Sequence, residues 1–344
     1  MNKSFWFLVL FVVAALAGGL WLFQEPVEQN KRSEPIFKDF RRTVDTLQSV
    51  TITNAQGTLF EADNENGVWL ASVKAGQPKY PVAKQHLADL LQTLTQAKLL
   101  EAKTRKAENF SQLGLQALYA QDSIASLITL ESSSSSKSLM VGKVATSGHG
   151  SFIRKPSEAQ TWLADRYIEV PVDKFAWLQQ PILPYQAEDI VSISRVDHDS
   201  WNIVRDPQNT GFKLSDISQR SELKYDAILK SIIVSITDLK FERLLEKENE
   251  LLDSLEVLTE LEILAVENVS LRLVVGKIKE QHFVYLSTTD ENPYWSNWIY
   301  QISSFSAQQL VKSMSDFIKD KPSSETGSDS TFMQFSIDEG ESPN

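Results

Sequence analysis

The chain has 344 residues, 42% of them hydrophobic and 23% charged, a length for about two domains and a composition that excludes collagen-like or broadly disordered character. Its 45 acidic against 34 basic residues give a net charge of −11, with no basic run beyond pairs such as Lys31-Arg32 and Arg41-Arg42, which argues against nucleic acid as a partner. The lack of cysteine excludes disulfides, zinc–thiolate sites, iron–sulfur clusters, thiol nucleophiles and a lipid-modified cysteine anchor.

From Phe5 to Phe23 the chain carries no charged or strongly polar side chain. As a helix this stretch would reach roughly 28 Å, about the thickness of a bilayer's hydrocarbon layer, with Trp6 and Trp21 near headgroup level. It is predicted to be a transmembrane helix. Lys3 before it and Glu25 and Glu28 after it put residues 1–4 in the cytoplasm and the bulk outside, which for a bacterium means single-pass anchoring in the inner membrane with the rest in the periplasm. The rival reading is a cleaved secretory signal, given the small-x-small step Ala15-Leu16-Ala17. Residues 24–43 are polar, carry two prolines and read as a tether.

Downstream the chain matches itself. Leu127, Leu130, Ser136, Leu139, Val141, Gly142 and Lys143 recur at a constant offset of 134 as Leu261, Leu264, Ser270, Leu273, Val275, Gly276 and Lys277. Upstream, Val50-Thr51-Ile52 recurs as Val191-Ser192-Ile193, and Gly67-Val68-Trp69-Leu70 as Gly211-Phe212-Lys213-Leu214. A helical stripe at Leu87, Leu90, Leu91 and Leu94 recurs at Leu229, Ile232, Ile233 and Ile236, followed by Lys98-Leu99 and Lys240-Phe241.

Two tandem copies are therefore expected, at 44–180 and 181–320, each a strand-rich α+β module with one main amphipathic helix, near 82–97 and 222–237. Strands are expected near 50–53, 58–62, 98–103, 124–131, 137–143 and 150–154, and near 239–244, 257–266, 269–276 and 281–287. A last helix is expected over 306–319, and 321–344 reads as a disordered acidic tail.

The anchor, the Gly67-Val68-Trp69 step before a Leu-rich helix, the Leu113-Gly114-Leu115 step, and a Val-Gly-Lys strand end leading to Phe152-Ile153-Arg154 resemble a family of bacterial membrane-anchored proteins known only as a domain of unknown function. Its members are often encoded beside ABC transporter components, including gliding-motility-type auxiliary proteins. The resemblance covers residues 45–320 and names no catalytic residue; Gln116-Ala117 stands where a proline often follows the Gly-Leu step. It implies an ABC transporter permease or auxiliary protein as partner.

Reactive patterns are sparse. His86, His149, His198 and His282 show no metal-ligand spacing, and no cofactor signature appears. Asp197-His198-Asp199 reads first as an Asx-rich turn, and otherwise as the site of an envelope hydrolase acting on glycan or peptide. Ser147-Gly148-His149-Gly150-Ser151 sits between two strands, which fits a hairpin loop and not a nucleophile elbow. Lys143 and Lys277 occupy matched positions, and Tyr294 and Trp295 lie in an aromatic-dense run; these four are the candidate partner or ligand contacts, against strand-end solvation and core packing. The expected function is a non-enzymatic binding or scaffold module, without a cofactor.

Overall fold

The computed structural model describes residues 33–319 except 147, 209–210, 216–220 and 289–292, so the expected span at 5–23, the start of the tether and the tail lie outside the described residues. In chain order the first sheet contains β1 (Glu34–Pro35), β2 (Leu47–Asn54), β3 (Gly57–Glu65), β4 (Val68–Ser72), β5 (Lys79–Pro81), β6 (Lys98–Ala102), β7 (Ser126–Ser132), β8 (Ser135–Val144), β9 (Ser151–Arg154) and β10 (Thr161–Ala164). The second contains β11 (Ile190–Arg195), β12 (Trp201–Arg205), β13 (Phe212–Leu214), β14 (Arg243–Glu246), β15 (Glu256–Ala265), β16 (Ser270–Ile278), β17 (Gln281–Thr288) and β18 (Trp298–Ile302).

These are antiparallel sheets of ten and eight strands, and they correct the α+β expectation to a mostly β fold. The short strands β4, β5, β10, β13 and β18 carry too few residues for a clear alternation, and they exist because a longer neighbour offers them a hydrogen-bonding edge. Helices among the described residues are mostly short: α1 (Lys84–Gln96) and α2 (Ile228–Thr237) are the longest, α3 (Ser304–Leu310) and α4 (Met314–Phe317) follow the last strand, and further short helical segments lie at Phe40–Thr43, Phe110–Leu113, Asn249–Asp253 and Pro293–Ser296. The single helix expected over 306–319 is broken at Ser313, whose side chain and that of Asp316 cap a new turn reciprocally.

No helix among the described residues is long and apolar enough to cross a membrane, the longest being the 13-residue α1. The N-terminal transmembrane helix and the single-pass inner-membrane placement are thereby corrected: the described architecture carries no such span, and the segment on which they rested is outside it. Nor is the end of residues 24–43 a free tether. β1 pairs with β6, and Ile36 and Phe40 are buried.

The first sheet runs β1-β6-β10-β9-β8-β7-β2-β3-β4-β5, the second β13-β12-β11-β15-β16-β17-β18-β14. Read from β6 and from β14, the two orders coincide strand for strand through β4 and β13. Hydrogen bonds outside the sheets recur with them. The N–H of Ala83 donates to Trp177 O at 2.8 Å and that of Lys224 to Phe317 O at 2.8 Å; the Gln179 N–H donates to Pro81 O at 2.8 Å and that of Lys319 to Glu222 O at 2.9 Å.

Register limits the gap-free sequence match. Leu139 faces Ile128 across β7–β8, and its counterpart Leu273 faces Leu261 across β15–β16, so Ile128 corresponds to Leu261. The offset in β7 and β15 is therefore 133, one less than the leucine identities gave, and one residue exchanges the two faces of a strand. By the same ladders Ile52, opposite Ile128, corresponds to Arg195, opposite Leu261.

Both sheets share one apolar core. They meet where Tyr80 of β5 packs edge-on against Trp298 of β18, with ring centroids 6.1 Å apart, and against Phe241 at 5.8 Å. Burial pushes the Tyr80 phenol up to about 12, a rise partly offset by its hydrogen bond with Tyr300.

Candidate functional site

Asp197, His198 and Asp199 form the turn between β11 and β12. The Asp197 carboxylate accepts from Arg195 Nε at 2.7 Å, from Thr259 Oγ1 at 2.9 Å and from the Asp199 N–H at 3.0 Å. Arg195, 7% exposed, also donates from Nη1 to the carbonyls of Val311 and Lys312, just past the end of α3. Burial opposes ionisation of Asp197, but the bonds from Arg195, the Asp199 N–H and Thr259, together with the arginine charge, hold its carboxyl below the usual aspartate value. A depressed, fully occupied carboxylate is a poor general base near neutral pH. The cluster clips a turn to a helix end.

Lys143 and Lys277 each follow a glycine that has no room for a side chain. A Cβ on Gly142 would lie 2.3 Å from Leu113 O, where the connection between β6 and β7 crosses the strand, and one on Gly276 2.6 Å from Leu255 Cγ and 2.9 Å from Glu256 O, where the chain enters the neighbouring β15. The lysines are strand-end side chains; Lys143 is exposed and Lys277 lies 3.4 Å from Glu256. Substituting Gly142 by alanine should cost about 1–3 kcal/mol through forced backbone displacement, and Gly276→Ala less, since its nearest contact is a leucine side chain that can give way and its backbone contact, Glu256 O, lies at 2.9 Å against 2.3 Å for Leu113 O. Urea titration of the two variants checks this, and an equal or reversed order would refute it.

Trp295, a candidate contact weighed against core packing, is only 7% exposed and donates from Nε1 to Ile182 O at 3.3 Å, which ties the start of the second half to the turn before β18 from inside. The Tyr294 carbonyl accepts from the buried Tyr300 hydroxyl at 3.1 Å. Gly148 and Gly150 turn the β8–β9 connection with φ of 73° and 87°, as a hairpin loop requires; Ser147 lies outside the described residues.

A different place gathers unused polar groups. α1 forms because Leu87, Leu90 and Leu94 recur on one buried face, which leaves Lys84, Gln85 and His86 of its first turn exposed. Against that turn lies the segment 176–180 that leads into the second half, held by the Ala83–Trp177 and Gln179–Pro81 backbone bonds. The Gln180 side chain accepts from the Phe241 N–H at 3.2 Å, which fixes the neighbouring Lys240 from the second half beside the same space. The result is a cleft of about 420 Å³ at the junction, whose basic lining is Lys84, His86 and Lys240 with Gln85, Gln179 and Gln180 beside them and no carboxylate.

His86 Nδ1 lies 2.7 Å from Ala176 O, and since a carbonyl only accepts, that nitrogen carries a proton and Nε2 is left for other partners. On the other side of His86 a smaller cavity of about 150 Å³ is lined by Asp89, Thr93, Tyr167, Glu169 and Trp177. His86 thus separates a cationic cleft from an acidic groove. Sequence reasoning passed over Lys84 and His86, which are ordinary exposed helix residues until residues 176–180 and Lys240 are placed against them. The recurrent Lys-apolar step after each main helix was the one available signal. Among the described residues, no group of three or more His, Asp or Glu could hold a metal ion.

A family model described as a domain of unknown function, DUF4340, matches residues 69–228. The match takes in α1, segment 176–180 and the boundary between the halves, and stops before Lys240. No curated protein and no solved structure matches the chain.

Proposed function

We propose that this chain is a non-enzymatic binding or scaffold module built from two copies of one folding unit, and that it serves as an accessory subunit of an ABC transport system. The observation that carries the binding reading is the junction cleft of about 420 Å³, to which both halves contribute side chains. A structural spacer needs no such cleft, and a volume of this size suits a small ligand or an inserted side chain. The shared strand order and the recurring backbone bonds support two copies of one unit. The transporter association comes from the resemblance to the bacterial family alone.

The rival, a hydrolase acting on glycan or peptide, had Asp197, His198 and Asp199 as its site, and the engagement of Asp197 by three donors speaks against it. The test is affinity capture of the tagged full-length chain from its native cells, with co-purifying proteins identified by mass spectrometry. Reproducible recovery of an ABC permease or ATPase, absent from a tag-only control, is expected. Recovery of neither, together with turnover of a glycan or peptide that Asp197→Asn abolishes, would replace the proposal with the rival.

A further inference from the structure

The coincidence of the two halves supplies an internal comparison for the junction cleft. The paired backbone bonds equate Ala83 with Lys224 and Trp177 with Phe317, and likewise Pro81 with Glu222 and Gln179 with Lys319. The isolated bridges Val82–Leu178 and Leu223–Ile318 continue the same correspondence. Counting back from the second anchor, Ala176 corresponds to Asp316, and the first turn of α1, Lys84–His86, corresponds to residues 225–228 that lead into α2, one residue longer because the buried stripe Leu87, Leu90 and Leu94 matches Leu229, Ile232 and Ile236.

One backbone corner thus exists twice with different charge, basic in the first half and mixed in the second. In the first half it carries Lys84, His86 and, across the junction, Lys240, with no carboxylate in its lining. In the second half it carries Glu222, Asp226 and Asp316 together with Lys224 and Lys319, and Glu222 is paired with Lys319 at 2.8 Å. The fold forms this corner with either set, so holding the corner together does not require the cations of the first. Grouping two lysines and a histidine in a cleft whose lining holds no carboxylate is also unexpected in a chain of net charge −11; the carboxylates beside His86, Asp89 and Glu169, line the cavity on its other side.

We propose that the junction cleft binds a small phosphate-bearing anion through Lys84, His86 and Lys240. This rests on the reading of the chain as a binding module and specifies its ligand. A ligand with more than one negative charge fits best, because a monocarboxylate would leave the grouped cations unneutralised. Lysine serves a phosphate as a mobile point charge. The three glutamines add neutral donors and acceptors for the remainder of the molecule. The space of about 420 Å³ admits a molecule larger than the bare anion.

Isothermal titration calorimetry of the full chain with pyrophosphate and with inorganic phosphate tests it. The comparison set is Lys84→Glu with Lys240→Glu, the single Lys240→Gln, Lys84→Arg with Lys240→Arg, and a control, Lys38→Glu with Lys137→Glu and Lys155→Glu, in the other lysine-lined groove. Saturable, salt-weakened binding of pyrophosphate is expected for the native chain, the arginine pair and the control, with affinity falling about tenfold or more in the glutamate pair. Lys240→Gln should fall in the same direction with the native melting temperature, which keeps the test valid if the double variant folds poorly. Absence of saturable binding, undiminished binding by both cleft variants, or loss confined to the control would overturn the proposal. Anion binding without recovery of a transporter component would remove the transporter reading alone; the converse would remove only the anion.

Discussion

Replacing Arg195 by alanine is expected to lower stability by about 3–5 kcal/mol, the range for breaking one side of a buried ion pair. The cost has two sources. Asp197, with its side chain 20% exposed, would lose the cation that compensates it, and the carbonyls of Val311 and Lys312 would lose a donor. Trp201 Nε1 also donates to Lys312 O at 2.8 Å, so the helix end would keep one tie, and the chain should fold with a lower urea midpoint. A loss under about 1 kcal/mol in urea titration would show that the cluster behaves like an exposed pair.

The same cluster predicts an acid response. The Asp197 carboxyl sits below its ordinary value of 3.8 in the folded protein, so its contribution is fully present above that value and fades as the pH falls through it toward the folded one. Asp316 is lowered as well, chiefly by the Ser313 N–H, and acts in the same direction. Stability measured from pH 6 downward should therefore fall less steeply in Arg195→Ala than in the native chain. An unchanged slope would detach the titration from the arginine.

How much of this could be read in the sequence depended on spacing. The stripe Leu87, Leu90, Leu94 specified α1 because a helix needs only local periodicity, and Gly142 and Gly276 marked equivalent strands because the chain packed beside each leaves no room for a Cβ. β7 and β15 were matched one residue out of register, since both faces of these strands carry leucines and identity alone cannot tell a core leucine from an outward one. Ladder pairs settle the register, and they are not a local property. Arg195 illustrates the same limit. It stands where the first half has the core residue Ile52; Asp197, two residues on, meets one side of the buried guanidinium, but the carbonyls beyond α3 that meet the other lie over a hundred positions later. The cleft joins residues 84 and 240, and no motif spans such a distance.

Trp298→Ala should be the other most costly substitution, at about 3–5 kcal/mol, because the side chain is completely buried at the meeting of the two sheets and its removal leaves a cavity there. Its indole N–H has no hydrogen-bond partner among the described residues, so Trp298→Phe forfeits no hydrogen bond, keeps an aromatic ring beside Tyr80, and should lose clearly less. The pair of variants separates packing from polar bonding at this position. It also reports on how the halves behave. With one apolar core running through both sheets, Trp298→Ala should shift a single cooperative urea transition as a whole. Two separate transitions, of which only the second half's moved, would mean that the core is divided at the junction, and the cleft between Lys84 and Lys240 would then open and close with the two halves.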